Sequence, residues 1–299
     1  MRFFLLALTI VLLGGCAATA PRPASLPDIV VSADALARGI DGAVVVHVAR
    51  DRADYDAGHV PGARFLPLSA VAAERGGVPN MLPPLADVRA SFEALGVSDG
   101  SHVVLYGDLG GLAAARALYA LDAIGHPGGA VLDGGLAAWQ RAGQGVSMAD
   151  PGAVRSGSIT TTPDARVTAT AGDVRALLDD TEAGRAALVD ARPRDQYTGE
   201  TPGGGVTRPG HIPGAVSLFW EEDLLPDGTL RPLEDLRERY ASAGVTPGKT
   251  VVTYCRTGVQ ASHTYLVARL LGLQPRLYDG SFYDWSTQTD FPVRPGPQP

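Results

Sequence analysis

The feature that most constrains this sequence is an internal repeat. Three unrelated patterns return in the same order: Gly58-His59-Val60-Pro61-Gly62-Ala63 as Gly210-His211-Ile212-Pro213-Gly214-Ala215, Val103-Val104-Leu105-Tyr106 as Val251-Val252-Thr253-Tyr254, and Leu132-Asp133-Gly134-Gly135 with Trp139 as Tyr278-Asp279-Gly280-Ser281 with Trp285. The shifts between the copies are 152, 148 and 146 residues. A nearly constant shift shared by three patterns indicates two copies of one domain of about 120 residues.

The repeat divides the 299 residues into two domains. We expect an N-terminal domain at 29–147, a Gly/Ser/Thr-rich linker at 148–162 and a C-terminal domain at 163–299. An apolar content of 45% with 19% charged residues is ordinary for a globular chain and excludes a disordered chain, a coiled coil and a polytopic membrane protein. The formal net charge of −7 offers no basic surface, so we expect no nucleic-acid partner.

Short apolar strands alternate with helical patterns in each copy. The strand patterns lie at 43–48, 103–106, 187–189 and 250–254, and the clearest helical patterns lie at 112–124 and 259–271. Strands without polar alternation are typical of a parallel sheet that is covered by helices on both faces. The sequence therefore predicts an α/β fold in which each copy is a three-layer domain.

The first residues have the pattern of an export signal. Arg2 precedes an apolar run at 3–13, which is shorter than the roughly 20 residues that a membrane-spanning helix requires. The run ends at Leu13-Gly14-Gly15-Cys16, which resembles the lipobox of bacterial lipoproteins. We expect a signal peptide at 1–15, lipidation of Cys16 and a tether at 16–28, which would make the protein an exported, membrane-anchored periplasmic lipoprotein. An ordinary cleaved signal with a chance cysteine is the alternative.

The other cysteine, Cys255, occurs where a ligand site is expected. In parallel α/β sheets, ligands bind beyond the carboxyl ends of the strands, at the N-termini of the helices that follow. The strand pattern at 250–254 is followed by Cys255-Arg256-Thr257-Gly258-Val259-Gln260 and then by the helical pattern. Backbone N–H groups and the helix dipole favour anions there, and Arg256 adds a positive charge. These surroundings favour the thiolate, the nucleophilic form of cysteine.

Several segments around this position resemble those of one known family. Cys-Arg-Thr-Gly-Val-Gln-Ala at 255–261, the two Gly-His-x-Pro-Gly-Ala segments and the two Asp-Gly-x-x-x-x-Trp segments resemble the tandem-domain rhodaneses, the thiosulfate sulfurtransferases. The resemblance covers about residues 40–147 and 170–292. It implies two tandem rhodanese-like domains, each a mainly parallel sheet with helices on both faces.

The resemblance also implies a two-step sulfur transfer. Cys255 would attack the outer sulfur of thiosulfate, release sulfite and hold the sulfur as a persulfide until cyanide or a thiol accepts it. The loop residues that would bind the donor are Arg256, Thr257, Gly258, Val259 and Gln260, with the Arg256 guanidinium at the sulfonate-like end. No metal ion or organic cofactor is implied. The expected partners are a small sulfur donor and acceptor, and we expect a monomer because the two copies already pair within one chain.

The first copy lacks the cysteine. At the corresponding place it has Tyr106-Gly107-Asp108-Leu109-Gly110, in which Asp108 would repel an anion. We therefore expect catalysis in the second domain, while the first domain closes one wall of the cleft.

Two positions depart from the members of the family that use thiosulfate. Thr257 stands where a second cation is often found, and Gln196 stands where a substrate arginine is expected. We predict that Arg192, or alternatively Arg194, binds the donor instead. Relatives that use 3-mercaptopyruvate usually have a small residue after the cysteine, so Arg256 favours thiosulfate. A 3-mercaptopyruvate sulfurtransferase and a protein-to-protein persulfide relay are the alternatives.

The remaining notable residues have structural interpretations. We predict that His59 and His211 hold the Pro-Gly turns, because they recur in the copy without the cysteine. We also expect Trp139 and Trp285 to anchor the core, His263 to be a packing or surface residue, and Asp190 to form an ion pair with Arg192 or another arginine. A cysteine phosphatase is disfavoured, because Ala261 stands where the phosphate-binding arginine of that loop would be.

Overall fold

The computed structural model describes residues 29–40 and 42–299. The predicted signal peptide at 1–15, the predicted lipidation site Cys16 and the predicted tether at 16–28 lie outside the described residues. Among the described residues, no helix has the length and apolar character that crossing a membrane requires.

The N-terminal domain is built on a five-stranded parallel sheet with the order β1-β7-β6-β2-β3. Its strands are β1 (Val30–Val31), β2 (Ala43–Ala49), β3 (Arg64–Pro67), β6 (His102–Gly107) and β7 (Gly129–Leu132). An antiparallel hairpin stands apart from the sheet and consists of β4 (Ala73–Arg75) and β5 (Val78–Met81). The helices are α1 (Ala33–Ala37), α2 (Arg52–Asp56), α3 (Leu85–Ala94), α4 (Leu112–Ala123) and α5 (Gly135–Arg141).

The C-terminal domain repeats this architecture with the strand order β10-β9-β11-β12-β8. Its parallel strands are β8 (Thr168–Ala169), β9 (Ala186–Asp190), β10 (Val216–Ser217), β11 (Thr250–Tyr254) and β12 (Pro275–Tyr278). The helices are α6 (Ala171–Ala176), α7 (Leu178–Glu182), α8 (Arg194–Thr198), α9 (Leu233–Ser242), α10 (Val259–Leu270) and α11 (Ser281–Thr287). Corresponding strands occupy corresponding places in the two sheets, so the predicted α/β fold with two repeated domains is confirmed.

Both domains hold their Gly-His-x-Pro-Gly turns in the same way. The His59 ring stacks on Tyr55 with 3.8 Å between centroids, and its Nδ1 lies 2.9 Å from the Tyr55 carbonyl oxygen. The His211 ring repeats the arrangement on Tyr197, again at 3.8 Å and 2.9 Å. Because the first of these pairs lies in the domain without the cysteine, the structural interpretation of both histidines is confirmed.

The repeated tryptophans are core residues, as predicted. Trp285 is 0% exposed and Trp139 is 7% exposed. Each indole N–H donates to a backbone carbonyl oxygen at 2.8 Å, that of Pro292 for Trp285 and that of Gly145 for Trp139. The rings therefore fill the core while their polar edge is satisfied.

The segment that connects the domains follows the surface of the N-terminal domain. Residues 148–164 contain no helix or strand. Within this segment, Gly157 N–H donates to the Glu93 carbonyl oxygen at 2.8 Å, and Ile159 N–H donates to the Glu93 carboxylate at 2.7 Å. These contacts hold the connection against α3.

The two domains share one apolar core, which α4 and α10 form together. Leu118 and Tyr119 of α4 belong to the same buried cluster as Tyr265 and Leu266 of α10. The rings of Tyr119 and Tyr265 meet edge to face with 5.5 Å between centroids. Separating the domains would expose this apolar surface to water, which is unfavourable by about 25 cal/mol for each Å². The helices therefore fix the domains relative to each other.

We expect Trp285→Ala to lower the free energy of unfolding by about 3–5 kcal/mol, because it removes a fully buried side chain and leaves a cavity. Urea denaturation followed by circular dichroism measures this change. Met148→Ala is the control, since Met148 is 75% exposed and its loss should change stability by less than about 0.5 kcal/mol. Equal unfolding midpoints for the two variants would contradict the core role of Trp285.

Candidate active site

Cys255 lies between β11 and α10, at the carboxyl edge of the C-terminal sheet. Its side chain is 1% exposed, and it is the free cysteine of the described residues. The Cys255 N–H donates to Ser281 Oγ at 3.2 Å, and its carbonyl oxygen accepts the N–H of Phe282 at 2.9 Å. The start of α11 therefore holds the backbone of the cysteine in addition to its own strand.

The loop at 255–258, called here the Cys255 loop, directs a backbone donor at the sulfur. Gly258 N–H donates to Cys255 Sγ at 3.1 Å. Gly258 has a φ of 87°, in the left-handed region, and a Cβ at this position would lie 2.9 Å from the Asp279 carbonyl oxygen. Both observations require glycine. A backbone N–H at the N-terminus of a helix stabilises negative charge on the sulfur atom.

Arg256 extends from the loop to the surface over a glycine-rich segment. Its Nη1 donates to the Gly204 carbonyl oxygen at 2.9 Å. A Cβ on Gly203 would lie 3.1 Å from Arg256 Cδ and 3.3 Å from Gln196 Oε1, so Arg256 and Gln196 flank the same glycine. A guanidinium has five N–H donors, and this hydrogen bond engages one of them. Arg256 therefore retains donors for an anion, as the sequence analysis expects.

Thr257 is buried against the N-terminal domain. Its Oγ1 accepts a hydrogen bond from Asn80 Nδ2 at 3.0 Å. Asn80 lies in β5 and has a φ of 58°, a left-handed conformation that asparagine adopts more readily than most residues. Val259 and Gln260 follow the loop as the first residues of α10 and are half-buried. The β4–β5 hairpin thus forms a wall of the site, the role that the sequence analysis assigns to the first domain.

A buried ion pair joins the two domains beside the Cys255 loop. Arg116 Nη2 of α4 lies 2.7 Å from Asp279 Oδ1, and the two side chains are 0% and 6% exposed. The other carboxylate oxygen of Asp279 accepts the N–H of Leu82 at 2.6 Å. From the sequence, Asp279 is recognisable only as part of the repeat, because its partners lie far away along the chain.

Ser281 is a second residue that the sequence analysis does not assign to the site. Its φ is 53°, and the corresponding Gly135 in the first copy has a φ of 56°. A serine in this conformation is strained. The Ser281 hydroxyl donates to the Tyr278 carbonyl oxygen at 2.8 Å and accepts the Cys255 N–H, so it ties the cysteine to β12. The replacement of glycine by serine between the two copies is the sequence signal that could have revealed it.

The corresponding place in the first copy has no room for a nucleophile. Gly107 occupies the position of Cys255, and a Cβ on it would lie 2.0 Å from the Val48 carbonyl oxygen. The neighbouring Asp108 accepts the N–H of Arg50 at 3.2 Å, and burial raises the pKa of its carboxyl. The described part of the first domain therefore offers neither the thiol nor the positive surroundings of the second.

Arg192 is placed differently from the prediction that it binds the donor. It is 0% exposed, its Nε lies 2.9 Å from Asp190 Oδ1, and its Nη2 lies 2.5 Å from Asp190 Oδ2. Nη2 also donates to the Gly210 carbonyl oxygen at 2.8 Å, and the Phe282 ring lies 4.2 Å from Cζ. The predicted Asp190–Arg192 pair is confirmed. A carboxylate already holds this enclosed guanidinium, so the structure gives the expected donor contact no support, and that contact stays a prediction.

His263 is a packing residue, one of the two roles expected for it. It is 3% exposed, and its ring meets Trp220 edge to face with 5.5 Å between centroids. Burial, together with the nearby Arg239, lowers the pKa of His263 to about 4.

Across the described residues, no group of three or more His, Cys, Asp or Glu side chains could hold a metal ion.

We expect Arg192→Ala to lower the free energy of unfolding by about 3–5 kcal/mol, because it leaves the Asp190 carboxylate buried without its cation. Chemical denaturation measures the loss. The control is Arg194→Ala at the exposed start of α8, for which we expect a change below about 0.5 kcal/mol. Wild-type stability in Arg192→Ala, combined with weakened donor binding, would instead restore the role that the sequence predicts.

Comparisons with known proteins agree with this architecture. The sequence profile of the rhodanese-like domain matches residues 32–142 and 170–288. The chain is 35% identical to a thiosulfate sulfurtransferase of Pseudomonas aeruginosa over 243 residues, which cover 81% of this chain and 87% of that protein. It is 36% identical to a probable 3-mercaptopyruvate sulfurtransferase of the same organism, with coverage of 81% and 86%.

A third relative is named as a sulfur carrier. The chain is 30% identical to the sulfur carrier protein TtuD of Thermus thermophilus over 280 residues, which cover 90% of this chain and 98% of that protein. The two matched domains and the relatives at 30% identity or more lead to one conclusion. This chain belongs to the rhodanese family of sulfurtransferases and contains two rhodanese-like domains in tandem.

Proposed function

We propose that this protein is a thiosulfate sulfurtransferase that carries sulfur as a persulfide on Cys255. The observation that carries the proposal is the hydrogen bond of 3.1 Å from Gly258 N–H to Cys255 Sγ at the N-terminus of α10, directly beside Arg256. This arrangement favours an anionic sulfur and an anionic donor in the same place.

The proposed reaction has two steps, both centred on the cysteine sulfur. The Cys255 thiolate attacks the outer sulfur of thiosulfate, a new S–S bond forms, and the old S–S bond breaks with its electron pair leaving on sulfite. Cyanide or a thiolate then attacks the outer sulfur of the persulfide. The S–S bond between that sulfur and Cys255 Sγ breaks, and its electron pair returns to Cys255 as the thiolate. The steps balance without an external oxidant or reductant.

Charge complementarity supports thiosulfate as the donor. Thiosulfate is a dianion, and the partly exposed Arg256 guanidinium has N–H donors left for its sulfonate-like end. The N–H of Gly258 and the dipole of α10 would stabilise the negative charge that remains on the persulfide. The residues proposed to act are therefore Cys255 as the nucleophile and the loop from Arg256 to Gln260 as the donor site.

Two alternative functions would use the same cysteine. A 3-mercaptopyruvate donor is favoured by Thr257, because this position carries a neutral hydroxyl bound to Asn80 where a second cation would suit a dianion. A persulfide relay between proteins is favoured by the likeness to the sulfur carrier protein TtuD. Both would use the persulfide on Cys255 and would differ in the donor and acceptor.

The proposal includes a place in the cell. The apolar run at 3–13 and the Leu-Gly-Gly-Cys segment that ends at Cys16 support export and lipidation of Cys16, followed by a tether at 16–28. The folded domains would then work in the periplasm as a monomer on a lipid anchor.

We expect sulfur transfer to cyanide with thiosulfate as the better donor, and a loss of roughly 1000-fold or more in Cys255→Ser. Steady-state formation of thiocyanate with thiosulfate and with 3-mercaptopyruvate measures both. A preference for 3-mercaptopyruvate would change the donor and keep the mechanism. Slow turnover with both small donors but rapid persulfidation of Cys255 by a protein donor would favour the relay. Full activity of Cys255→Ser would refute all three.

We expect Arg256→Ala to raise the KM for thiosulfate roughly 30- to 150-fold, because a charge-assisted contact is lost. This rise corresponds to about 2–3 kcal/mol of lost binding free energy. Titration of the initial rate with thiosulfate measures this. Arg237→Ala is the control, since it removes an exposed arginine of α9 that pairs with Glu234. An unchanged KM in Arg256→Ala would place donor recognition elsewhere in the site.

A further inference from the structure

We infer that Arg116, which belongs to the domain without the cysteine, is a positioning residue for the Cys255 loop. The inference deepens the function proposed above and rests on it. Arg116 lies on α4 and is far from the Cys255 loop along the chain. The connection between them exists only through the contact of the two domains.

One guanidinium links three separate segments of the chain. Arg116 is 0% exposed, its Nε donates to the Val71 carbonyl oxygen at 3.0 Å, and its Nη2 donates to the Asn80 carbonyl oxygen at 2.7 Å. The same Nη2 lies 2.7 Å from Asp279 Oδ1. The rigid, planar fork of arginine allows these contacts at once. Arg116 therefore locks the β4–β5 hairpin and the end of β12 into one arrangement.

The first connection from Arg116 to the sulfur runs through Gly258. A Cβ at Gly258 would lie 3.2 Å from Arg116 Nη1 and 3.2 Å from Asp279 Oδ1, so the ion pair packs directly against this glycine. Nη1 is buried and has no hydrogen-bond partner among the described residues. Gly258 is the residue whose N–H donates to Cys255 Sγ. The ion pair therefore supports the peptide that presents the donor to the sulfur.

The second connection runs through Asn80. Arg116 holds the Asn80 carbonyl oxygen, and the Asn80 side chain donates to Thr257 Oγ1 at 3.0 Å. Gly258 and Thr257 are consecutive residues of the loop. Arg116 thus supports the Cys255 loop from two sides, without touching the sulfur or the donor itself.

Comparison of the two copies distinguishes this positioning role from ordinary contact between the domains. At the opposite end of the interface, Leu230 N–H donates to Asp133 Oδ1 at 2.8 Å, as Leu82 N–H donates to Asp279 Oδ2 at 2.6 Å. Each domain therefore binds the repeated aspartate of the other. The cation is not repeated, because His263 of α10 stands where α4 has Arg116. A buried cation is costly, and it occurs at the end that holds the cysteine.

The test compares Arg116→Lys with Asp133→Asn in the full-length protein, purified in detergent. Lysine keeps a charge for Asp279 but cannot hold the carbonyl oxygens of Val71 and Asn80 at the same time. We expect Arg116→Lys to lower kcat by about 10- to 100-fold, since a misplaced donor weakens the chemical step, and to change the KM for thiosulfate by less than about 2-fold. Asp133→Asn removes the charge of the matching aspartate, which weakens the hydrogen bond from Leu230 N–H, and should keep kcat within about 2-fold of wild type.

The rate at which iodoacetamide alkylates Cys255, followed by peptide mass spectrometry, is a second readout that needs no sulfur donor. We expect Arg116→Lys to slow it by at least about threefold and Asp133→Asn to leave it unchanged. Slow alkylation in Arg116→Lys would support the inference even if the wild-type protein transferred no sulfur, an outcome that would refute only the proposed function. Equal effects of the two substitutions, or wild-type alkylation in Arg116→Lys, would overturn the inference.

A third variant is used if circular dichroism shows that Arg116→Lys is not folded. Asn80→Gly removes the side-chain link between the hairpin and Thr257, tolerates the left-handed conformation of this position and leaves the ion pair in place. We expect slower alkylation of Cys255 and a lower kcat with an unchanged KM. Wild-type values for Asn80→Gly in that case would overturn the inference.

Discussion

The packing of α4 against α10 is the constraint on which the rest of the site depends. Each helix begins directly after the loop that follows a central strand of its own sheet, β6 for α4 and β11 for α10. When the two helices share one buried cluster, each loop is brought against the other domain. The Cys255 loop therefore meets the β4–β5 hairpin, and a wall of the site comes from a domain that has no cysteine among its described residues.

The two copies share one architecture, and some of their many sequence differences lie at and beside the Cys255 loop. Cys255 replaces a glycine that is packed too tightly for any side chain, since Gly107 lies against the Val48 carbonyl oxygen. Ser281 replaces Gly135 in a glycine-like conformation and uses its hydroxyl to hold the cysteine backbone. These differences give the second copy a thiol and a support for it. The two copies thus share a frame, and single side chains distinguish the half that carries the thiol.

Much of the site could be predicted because it is local. Cys255, Arg256 and Gly258 are consecutive or nearly so, and a strand followed by a loop and a helix determines where they lie. Arg192 could not be predicted in the same way. Its position near the strand end is correct, but whether its guanidinium faces the cleft or the core depends on Asp190, on Gly210 and on the ring of Phe282 from α11. The positioning contacts of Asn80 and Arg116 are still less accessible, because they join segments that are distant in sequence.

The sequence by itself determined the repeated α/β architecture, the half of the chain that carries Cys255 and the loop that surrounds it. It could do so because hydrophobic periodicity, the repeated turns and the strand-loop-helix order are properties of short segments. Only the tertiary structure decided which arginines serve which purpose. Arg192 is enclosed by its own domain, Arg116 reaches into the other domain, and Arg256 remains partly open to solvent. The physical reason is that the position of a guanidinium depends on the carboxylates and carbonyl oxygens around it, and folding gathers these from separate parts of the chain.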